Sequence, residues 1–365
     1  MGEKALHWGI VGCGLISGDM VEAIKLLPPN EHKVIAIASK SLERCKEFRS
    51  KHDLNDAILY GSYEELIHDP NVDIVYVATR NHQHFEVTEM ALKAKKNVLC
   101  EKPLGMNKIE VEKMIALAKE NGVFLQEAFW SRFFPIYDEI RKILDEHIIG
   151  DAVLVQADLG LPTMSKIERL NKRELGAGMA LDVGCYLAQL AFFIFGKSTP
   201  IESITTVGWK SYDVEDTGSV TIKFAGNKMA QLLFTGSAYV GGRAQIFGTK
   251  GRIDVRMYRC DHAFPLIFFQ TDNIPRDFHC PERCNVTILP EEMFAEPVVK
   301  EYYHARPHGD LNKFFFKFTT GLAFEAAALR KHILKEIRKM EDGVKRDRER
   351  QGKRVQAIVI KIPLI

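Results

Sequence analysis

The sequence lacks an excess of charge of either sign. Its 365 residues include 50 lysines and arginines and 48 aspartates and glutamates, which leaves a formal net charge of +2. Nucleic acids and anionic membranes attract strongly basic surfaces, so this balance argues against both as partners. We therefore expect the partner to be a small molecule.

The chain also lacks a long hydrophobic run. The longest uncharged apolar run, residues 187–196, includes Gln189. It is about half as long as the roughly 20 residues that cross a bilayer, so no spanning helix is expected. Near the N-terminus, Leu6–Val11 already has the pattern of a strand, which leaves no room for a secretory signal peptide.

Cysteine is sparse, with 7 residues scattered along the chain. An odd number does not suit a disulfide framework. Cys280 and Cys284 form the one close pair, and no second Cys or His pair at ligand spacing accompanies them. The pair therefore favours free thiols over a zinc site, and no metal is expected. A reducing, cytoplasmic setting follows.

The length of the chain and its hydrophobic pattern indicate two domains. Over roughly the first 125 residues, short apolar runs alternate with helical stretches, which is typical of an α/β, doubly wound parallel sheet of the Rossmann type. After residue 150, longer β-rich stretches between turns indicate an α+β domain on an open, mostly antiparallel sheet. We place the domains at 1–127 and 128–334, followed by a charged tail at 335–365.

A glycine-rich turn, residues 12–17 (GCGLIS), follows the first predicted strand and opens a helix. This is the context of a dinucleotide fingerprint, although Ser17 stands where a third glycine or alanine is usual. Gly12 and Gly14 let backbone N–H groups approach a pyrophosphate at the positive end of the helix dipole. The alternative is a turn that merely uses glycine. The residues assigned to the cofactor here are Gly12, Gly14, Leu15 and Ile16.

The second predicted strand ends without an acidic residue. A carboxylate here binds the ribose 2′-hydroxyl in NAD-selective folds, whereas this chain has Ser39, Lys40 and, farther on, Arg44. A hydroxyl and two cations suit a 2′-phosphate, so the sequence favours NADP over NAD. An exposed basic turn is the alternative.

Polar residues also follow the third predicted strand, at the edge of the sheet where α/β proteins bind ligands. Thr79, Asn81 and His84 lie in this turn. We expect them to line the cofactor crevice, with His84 supporting the nicotinamide side. A histidine that caps the next helix is the alternative.

The fourth predicted strand ends in Glu101-Lys102-Pro103. A lysine at this edge faces the substrate crevice, and the proline after it fixes the backbone and allows a cis bond. We assign Glu101 and Lys102 to the cofactor site and Lys102 also to catalysis. A surface Glu–Lys ion pair is the alternative.

Asp182 and Tyr186 are four residues apart, which places them on one face if Asp182 begins a helix. A tyrosine with an ordinary pKa near 10 takes a proton from an alcohol only if a cation stabilises the phenolate. Lys102 is the candidate for that cation. The alternative is a helix start with Asp182 as its N-cap and Tyr186 as a buried aromatic residue.

With these residues in view, the chain resembles the glucose–fructose oxidoreductase and inositol dehydrogenase superfamily. Within it, the chain is most similar to the dimeric dihydrodiol dehydrogenases, also described as NADP-dependent D-xylose 1-dehydrogenases. The segments that carry the resemblance are residues 8–11 (WGIV), 60–66 (YGSYEEL), 69–72 (DPNV), 98–103 (VLCEKP), 127–135 (EAFWSRFFP), 181–186 (LDVGCY), 248–251 (GTKG) and, more weakly, 321–325 (GLAFE).

The resemblance implies roles for residues that spacing alone does not settle. Superfamily members commonly have histidine at the position of Tyr186, whereas dihydrodiol dehydrogenases have tyrosine there. It implies that Tyr186 is the acid/base, supported by Lys102 and Asp182. It also implies an open antiparallel sheet after the Rossmann domain, whose outer face pairs with a second subunit in a homodimer.

The hypothesis is an NADP-dependent oxidoreductase that oxidises a secondary alcohol or hemiacetal of a trans-dihydrodiol or of a pentose such as D-xylose. Two alternatives stay open: an inositol or other sugar dehydrogenase or reductase, and a catalytically inactive paralogue that keeps the dinucleotide site. The residues expected around the substrate are Lys102, Trp130, Arg132, Asp182 and Tyr186.

Overall fold

The computed structural model describes residues 5–256, 278–292 and 295–335, which form two compact units. The first unit contains residues 5–128 and 307–335, and the second contains the described residues between 129 and 306. The charged tail expected at 335–365 lies outside the described residues except for Lys335.

The first unit is built on a six-stranded sheet in the order β3-β2-β1-β4-β5-β6, and all neighbouring strands are parallel. The Rossmann prediction is therefore confirmed. Its strands are β1 (Leu6–Val11), β2 (His32–Ala38), β3 (Ile58–Tyr60), β4 (Ile74–Val77), β5 (Asn97–Glu101) and β6 (Leu125–Ala128). The helices between them are α1 (Leu15–Lys25), α2 (Leu42–Lys51), α3 (Tyr63–His68), α4 (His84–Lys93) and α5 (Lys108–Asn121).

Local sequence explains where several of these helices begin and end. Ser41 caps α2, because its side chain accepts a hydrogen bond from the backbone N–H of Arg44 at 3.4 Å. Ser62 and Glu65 form a capping box at the start of α3. Gly122 ends α5 in a left-handed conformation with φ of +66°, which glycine adopts without strain.

One face of this sheet packs against α3, α4 and α5. The buried core there includes Val77 and Cys100 from the strands and Ile67, Leu92 and Met114 from the helices. Because right-handed crossovers on the two sides of β1 run in opposite directions, α1 and α2 lie on the other face. That face, over β4, β5 and β6, receives no crossover helix.

A returning helix, residues 322–335, packs on this second face after the chain has passed through the second unit. Gln126 of β6 donates a hydrogen bond to Glu325 at 3.2 Å, and the ring of Phe124 stacks on His332. Buried residues on the returning helix include Ala326 and Leu329. The helix thus completes the core of the nucleotide-binding unit.

This arrangement corrects the expected boundary of the second domain, which extended to residue 334. Residues 307–335 belong to the first unit. The buried carboxylate of Asp19 on α1 accepts the backbone N–H groups of Phe315 and Phe316 at 2.7 and 3.0 Å and the hydroxyl of Thr319 at 2.7 Å. Sequence periodicity did not reveal this attachment because it depends on one aspartate far away in the chain.

The second unit contains an eight-stranded sheet in the order β14-β13-β12-β11-β7-β10-β9-β8. Its neighbouring strands are antiparallel except β7 and β10, which are parallel, so the expected mostly antiparallel sheet is confirmed. The strands are β7 (Ala152–Gly160), β8 (Ile201–Ser211), β9 (Val214–Phe224), β10 (Lys228–Thr235), β11 (Ala244–Gly248), β12 (Gly251–Arg256), β13 (Arg283–Ile288) and β14 (Val298–Tyr303). The helices are α6 (Pro135–Asp145), α7 (Glu168–Asn171) and α8 (Cys185–Phe195).

One face of the second sheet is covered and the other is open. Helix α8 packs on β7 and β10, and its Leu190 is fully buried. On the opposite face Leu233, Ser219 and Val207 form a row of paired residues across β10, β9 and β8. Val207 is 74% exposed and the nearby Trp209 is 59% exposed.

The helical stretch that contains α8 is longer than the sequence suggested. Arg173–Phe195 has the length and composition of a membrane-crossing helix, yet 61% of its apolar window is buried inside the protein. It is not one continuous α-helix, because Arg173–Leu175 is a 3₁₀ turn and Ala180–Gly184 is π-helical. The apolar character of α8 therefore matches its contacts with the sheet.

Candidate functional site

The glycine turn between β1 and α1 has the backbone geometry of a phosphate cradle. Gly12 has φ of +100°, and a Cβ atom there would lie 2.6 Å from the carbonyl oxygen of Ala78. Any larger residue would force the turn away from β4. The turn is also held to β2 by the hydrogen bond from Gly12 N–H to Ala38 O at 2.9 Å.

The start of α1 offers backbone donors. Gly14 is the N-cap and makes no side-chain cap, and the first turn contains no acidic residue. The N–H groups of residues 15–17 precede the first intrahelical bond, from Gly18 N–H to Gly14 O, so they are available to an anion. The hydroxyl of Ser17 is buried without a hydrogen-bond partner in the described chain. These residues fit a dinucleotide pyrophosphate.

The end of β2 carries the predicted coenzyme-selecting residues. Ser39 is buried, and its hydroxyl accepts the N–H of Ser41 at 3.4 Å. Lys40 is exposed and lies 6.0 Å from the ring centre of Tyr63. Arg44, also exposed, lines a cleft of about 320 Å³ that begins at Gly14. Through this cleft, the guanidinium of Arg44 has access to the edge of the phosphate cradle.

The cleft has a second cationic wall that sequence reasoning missed. Lys51 from α2 and Lys313 from the returning part of the chain line it together with Arg44. Lys313 also pairs with Asp53 at 3.4 Å. Nothing in the local sequence around Lys313 indicated this position, because the residue is remote from the Rossmann segments.

The turn after β4 contains Thr79, Asn81 and His84. Asn81 begins the 3₁₀ turn Asn81–Gln83, and the buried hydroxyl of Thr79 has no hydrogen-bond partner in the part of the chain that is described. His84 is fully buried, with Nδ1 2.7 Å from Pro103 O and Nε2 3.3 Å from Thr79 O. Burial lowers the pKa of this ring. The ring lies between the turns that follow β4 and β5, with one nitrogen against a carbonyl oxygen of each.

Lys102 lies in a turn that two carboxylates hold. The Lys102–Pro103 peptide bond is cis, as the sequence allowed. Glu101 accepts the hydroxyl of Tyr76 at 2.5 Å and the backbone N–H of Lys102 at 3.3 Å. Glu127 accepts the backbone N–H of Leu104 at 2.8 Å. The carboxylates thus fix the backbone on both sides of the lysine.

Tyr186 is buried in an aromatic cluster of the second unit. The indole N–H of Trp130 donates to its hydroxyl oxygen at 3.2 Å. Phe129 makes an edge contact with its ring at 5.4 Å between centroids, and His279 lies 5.3 Å away. A donor to the phenol oxygen stabilises the negative charge that develops when the proton leaves. The arrangement suits a phenol that exchanges a proton.

Asp182 does not begin the helix that contains Tyr186. Helical backbone starts earlier, and Asp182 lies within the π-helical segment Ala180–Gly184, so it is not an N-cap. Its carboxylate pairs with Arg169 of α7 at 2.9 Å. Sequence reasoning missed Arg169, because a π turn and a short helix give no periodic signal.

Arg132 lies in the same unit as Tyr186 but faces another part of α8. Its guanidinium stacks on Phe193 at 5.1 Å, and Phe193 lies about two helical turns beyond Tyr186. Burial lowers the pKa of Arg132 to about 10. Its Nε and Nη2 atoms have no hydrogen-bond partner among the described residues.

The candidate residues therefore form two groups, one in each unit. The first unit contains the cradle, the basic end of β2 and Lys102. The second contains Asp182 and the hydrogen-bonded pair Trp130 and Tyr186. Among residues 5–256, 278–292 and 295–335, no group of three or more His, Cys, Asp or Glu side chains has the arrangement of a metal site.

Two protein-family profiles match the chain. One, described as an oxidoreductase family with an NAD-binding Rossmann fold, matches residues 6–129. The other, the GFO/IDH/MocA C-terminal domain, matches residues 137–254. The first matched segment lies almost entirely in the first unit and the second lies in the second unit.

Curated relatives have the name trans-1,2-dihydrobenzene-1,2-diol dehydrogenase. The protein from Xenopus tropicalis is 42% identical over 252 residues, covering 69% of this chain and 75% of the relative. The protein from Danio rerio is 36% identical over 330 residues, covering 90% of this chain and 89% of the relative.

Solved structures share the fold at lower identity. The 3-ketoreductase KijD10 from Actinomadura kijaniata, in complex with NADP and TDP-benzene, superposes with a TM-score of 0.72 at 23% identity over 91% of both chains. An NAD binding oxidoreductase from Klebsiella pneumoniae has a TM-score of 0.73 at 19% identity over 90% of both chains. At these identities the likeness establishes the fold alone.

Proposed function

The chain belongs to the GFO/IDH/MocA family of NAD(P)-binding oxidoreductases, and we propose that it is an NADP-dependent dehydrogenase of trans-dihydrodiols or of a pentose such as D-xylose. The observation that carries the proposal is the hydrogen bond from Trp130 to the hydroxyl of Tyr186. This hydrogen bond holds the phenol oxygen in position within the aromatic cluster. The oxidation of an alcohol needs such a group as its proton acceptor.

The coenzyme is NADP in this proposal. Ser39, Lys40 and Arg44 occupy the end of β2 and the start of α2, where an NAD-selective enzyme has a carboxylate. A 2′-phosphate carries about two negative charges, which the two cations neutralise while the hydroxyl donates a hydrogen bond. The 2′-hydroxyl of NAD carries no charge for the cations to neutralise. When bound, the oxidised nicotinamide accepts a hydride from the substrate carbon.

Tyr186 accepts the proton from the substrate hydroxyl as the carbonyl group forms. Trp130 holds the phenol oxygen in position and stabilises its negative charge. Lys102 supplies positive potential to the developing oxyanion, a role in which one placed group contributes on the order of 3 kcal/mol. Asp182, ion-paired with Arg169, orients the segment that leads into Tyr186.

The substrate has two adjacent hydroxyl groups. The names of the relatives from Xenopus tropicalis and Danio rerio support a trans-dihydrodiol, and a pyranose presents the same pair of hydroxyls. The aromatic lining of Trp130 and Phe129 around Tyr186 suits a planar or apolar ring face. Inositols and other sugars are the second candidate class of substrate, and the presence of tyrosine at position 186 argues against them.

The first experiment replaces Tyr186 by Phe and measures NADP-coupled absorbance with D-xylose, other pentoses, hexoses, inositols and an aromatic trans-dihydrodiol. Loss of the proton acceptor is expected to lower kcat by at least about a hundredfold. Tyr239→Phe, which alters an exposed tyrosine of the same unit, is the control. Undiminished turnover in Tyr186→Phe removes this residue from the mechanism.

The second experiment addresses coenzyme choice. Lys40→Ala combined with Arg44→Ala is expected to weaken NADP binding by at least about tenfold, with little change for NAD, because only NADP loses charge-assisted hydrogen bonds. Isothermal titration with both nucleotides measures the ratio. An unchanged ratio contradicts this account of selectivity, and tight nucleotide binding without turnover on any substrate favours the inactive paralogue.

The open face of the second sheet supports a homodimer. Leu233, Val207 and Trp209 are exposed there, and a contiguous exposed apolar surface on a sheet is typical of a protein interface. Val207→Arg with Trp209→Arg is expected to convert a dimer into monomers in analytical ultracentrifugation. A monomeric wild-type protein at micromolar concentration contradicts the dimer.

A further inference from the structure

Glu325 is a buried acid that the proposed mechanism does not use. It lies on the returning helix and is 0% exposed. Its Oε1 atom accepts a hydrogen bond from the side-chain amide of Gln126 at 3.2 Å. Its Oε2 atom is buried and has no hydrogen-bond partner among the residues that the structure describes. A neutral amide is a weak counterpart for a full negative charge in the interior.

The strands beneath Glu325 bring other acidic groups close to it. Tyr76, Leu99 and Gln126 form one row of paired residues across β4, β5 and β6. Glu101 lies two residues beyond Leu99, so its side chain points to the same face. The carboxyl group of Glu325 is therefore near the hydrogen bond between Tyr76 and Glu101, and Glu101 immediately precedes Lys102.

Every neighbouring element contributes a charged or titratable group. The groups that interact electrostatically with Glu325 are Glu101 at the end of β5, Glu127 of β6 and Tyr76 of β4. One step farther out, Asp19 of α1 acts on Tyr76, and Lys102 acts on Glu127. Burial first, and then the charge of Glu101, raise the pKa of Glu325 well above its ordinary value. Burial raises the pKa of Glu127 to about 7, and Lys102 opposes that rise.

The hydrogen bonds indicate which acid keeps a proton. Glu101 accepts from the Tyr76 hydroxyl and from a backbone N–H, so its two oxygens act as those of a carboxylate. Glu127 accepts a backbone N–H. Within the described part of the chain, Glu325 has one donor, the amide of Gln126. Several carboxyl groups that lie close together in the interior cannot all be ionised, because their negative charges repel one another. The acid with the fewest and weakest hydrogen-bond donors therefore stays neutral.

We propose that Glu325 is a positioning residue that stores a proton behind Lys102. As a neutral acid it leaves the positive potential of Lys102 intact, and its ionisation at alkaline pH adds a buried negative charge beside Glu101 and Glu127 that cancels this potential. The part of the proposal that concerns turnover rests on the proposed function, in which Lys102 stabilises the developing oxyanion.

Infrared difference spectroscopy tests the stored proton without any turnover. The spectrum at neutral pH is expected to contain a carbonyl band of a protonated carboxylic acid that disappears in Glu325→Gln. Glu127→Gln identifies the contribution of Glu127, and Glu120→Gln, which removes an exposed carboxylate of the same unit, is the matched control. A protonated-acid band that is unchanged in Glu325→Gln overturns the proposal.

The pH profile of kcat tests the effect on Lys102. Glutamine mimics the neutral acid permanently, so the ratio of kcat in Glu325→Gln to kcat in the wild type is expected to rise with pH, by up to about tenfold per pH unit above the ionisation. A ratio that is constant with pH overturns the coupling to Lys102. A wild type without turnover on any substrate contradicts the proposed function instead, and the infrared result then decides the location of the proton.

A stability measurement separates proton storage from simple packing. Glu325→Gln is expected to unfold at the same urea concentration as the wild type at neutral pH, because both side chains are neutral. Asp19→Asn changes an equally buried acid that accepts three hydrogen bonds, so it is expected to unfold earlier. Strong destabilisation by Glu325→Gln at neutral pH means that the native side chain is ionised and contradicts the proposal.

Discussion

The two sheets of this protein differ in how many of their faces are covered by helices. In the first unit both faces of the parallel sheet are covered by helices, and the returning helix closes the part that the crossovers leave open. In the second unit α8 covers one face, and the other face exposes Val207 and Trp209. A parallel sheet must bury both faces, whereas an antiparallel sheet can leave one to solvent or to a partner.

This difference shows why the two units depend on distant parts of the chain to different degrees. The covered face of the second sheet is packed by helices that are close to its strands in the sequence. The first requires residues that come after the whole second unit, and Asp19 and Gln126 attach them. The core of the nucleotide-binding unit is therefore assembled from both ends of the described chain.

The largest expected effect distinguishes the two faces of the second sheet. Leu190→Ala creates a cavity under α8 where the side chain is fully buried, and it is expected to lower the free energy of unfolding by about 2–5 kcal/mol. Val207→Ala on the open face is expected to change it by less than about 0.5 kcal/mol in a monomer. Urea denaturation of the two variants measures both values. Equal losses would mean that the open face is covered.

A second prediction concerns the attachment of the returning segment to the first sheet. Asp19→Ala removes three hydrogen bonds: the N–H groups of Phe315 and Phe316 lose their acceptor, while the hydroxyl of Thr319 retains the carbonyl oxygen of Phe316. The expected loss in the free energy of unfolding is about 3 kcal/mol, roughly 1 kcal/mol for each bond. Limited proteolysis should then cut near residue 316, whereas Glu47→Ala, at an exposed carboxylate of the same cleft, should leave the segment protected.

The third prediction is a pH dependence on the face that the returning helix covers. His32 accepts the indole N–H of Trp8 at 3.2 Å, and burial lowers its pKa from 6.5 to about 4. The unfolded chain therefore binds a proton that the folded protein does not. Stability is expected to fall by up to about 3 kcal/mol as the pH drops from 6.5 to about 4.

Thermal unfolding across this pH range, with His32→Gln beside the wild type, measures the effect. His82→Gln changes an exposed histidine of the same unit and is the control. The slope between pH 6.5 and pH 4 should flatten in His32→Gln alone. A slope that both variants share with the wild type would assign the acid sensitivity to carboxylates instead.

The local parts of the fold could be predicted from the sequence. The glycine turn, the edge position of Lys102 and the helix that carries Tyr186 each follow from a hydrophobic strand or helix with its boundary residues. Strand β3 was missed because its three residues, Ile58–Tyr60, are too few for a periodic pattern. The start of the Tyr186 helix was also wrong, because a π turn has no sequence signature in a single chain.

The long-range parts of the site could not be predicted. Arg169 pairs with Asp182, and His279 packs on Tyr186, only because tertiary structure brings them there. Glu325 had one local signal, a single acid inside the apolar stretch 322–329 (LAFEAAAL). A lone carboxylate among alanines and leucines favours a buried acid with a special partner, but the partner itself appears only in three dimensions.

The position of the returning helix has a consequence for synthesis on the ribosome. The strands that bind the nucleotide emerge first, yet Tyr76 and Gln126 on one side of them remain without their cover until residues 322–335 have left the exit tunnel. The N-terminal half must wait, partly assembled, while the entire second unit is translated. Chaperone capture of nascent chains should therefore be strongest at lengths that lack residues 322–335 and end abruptly once these residues have emerged.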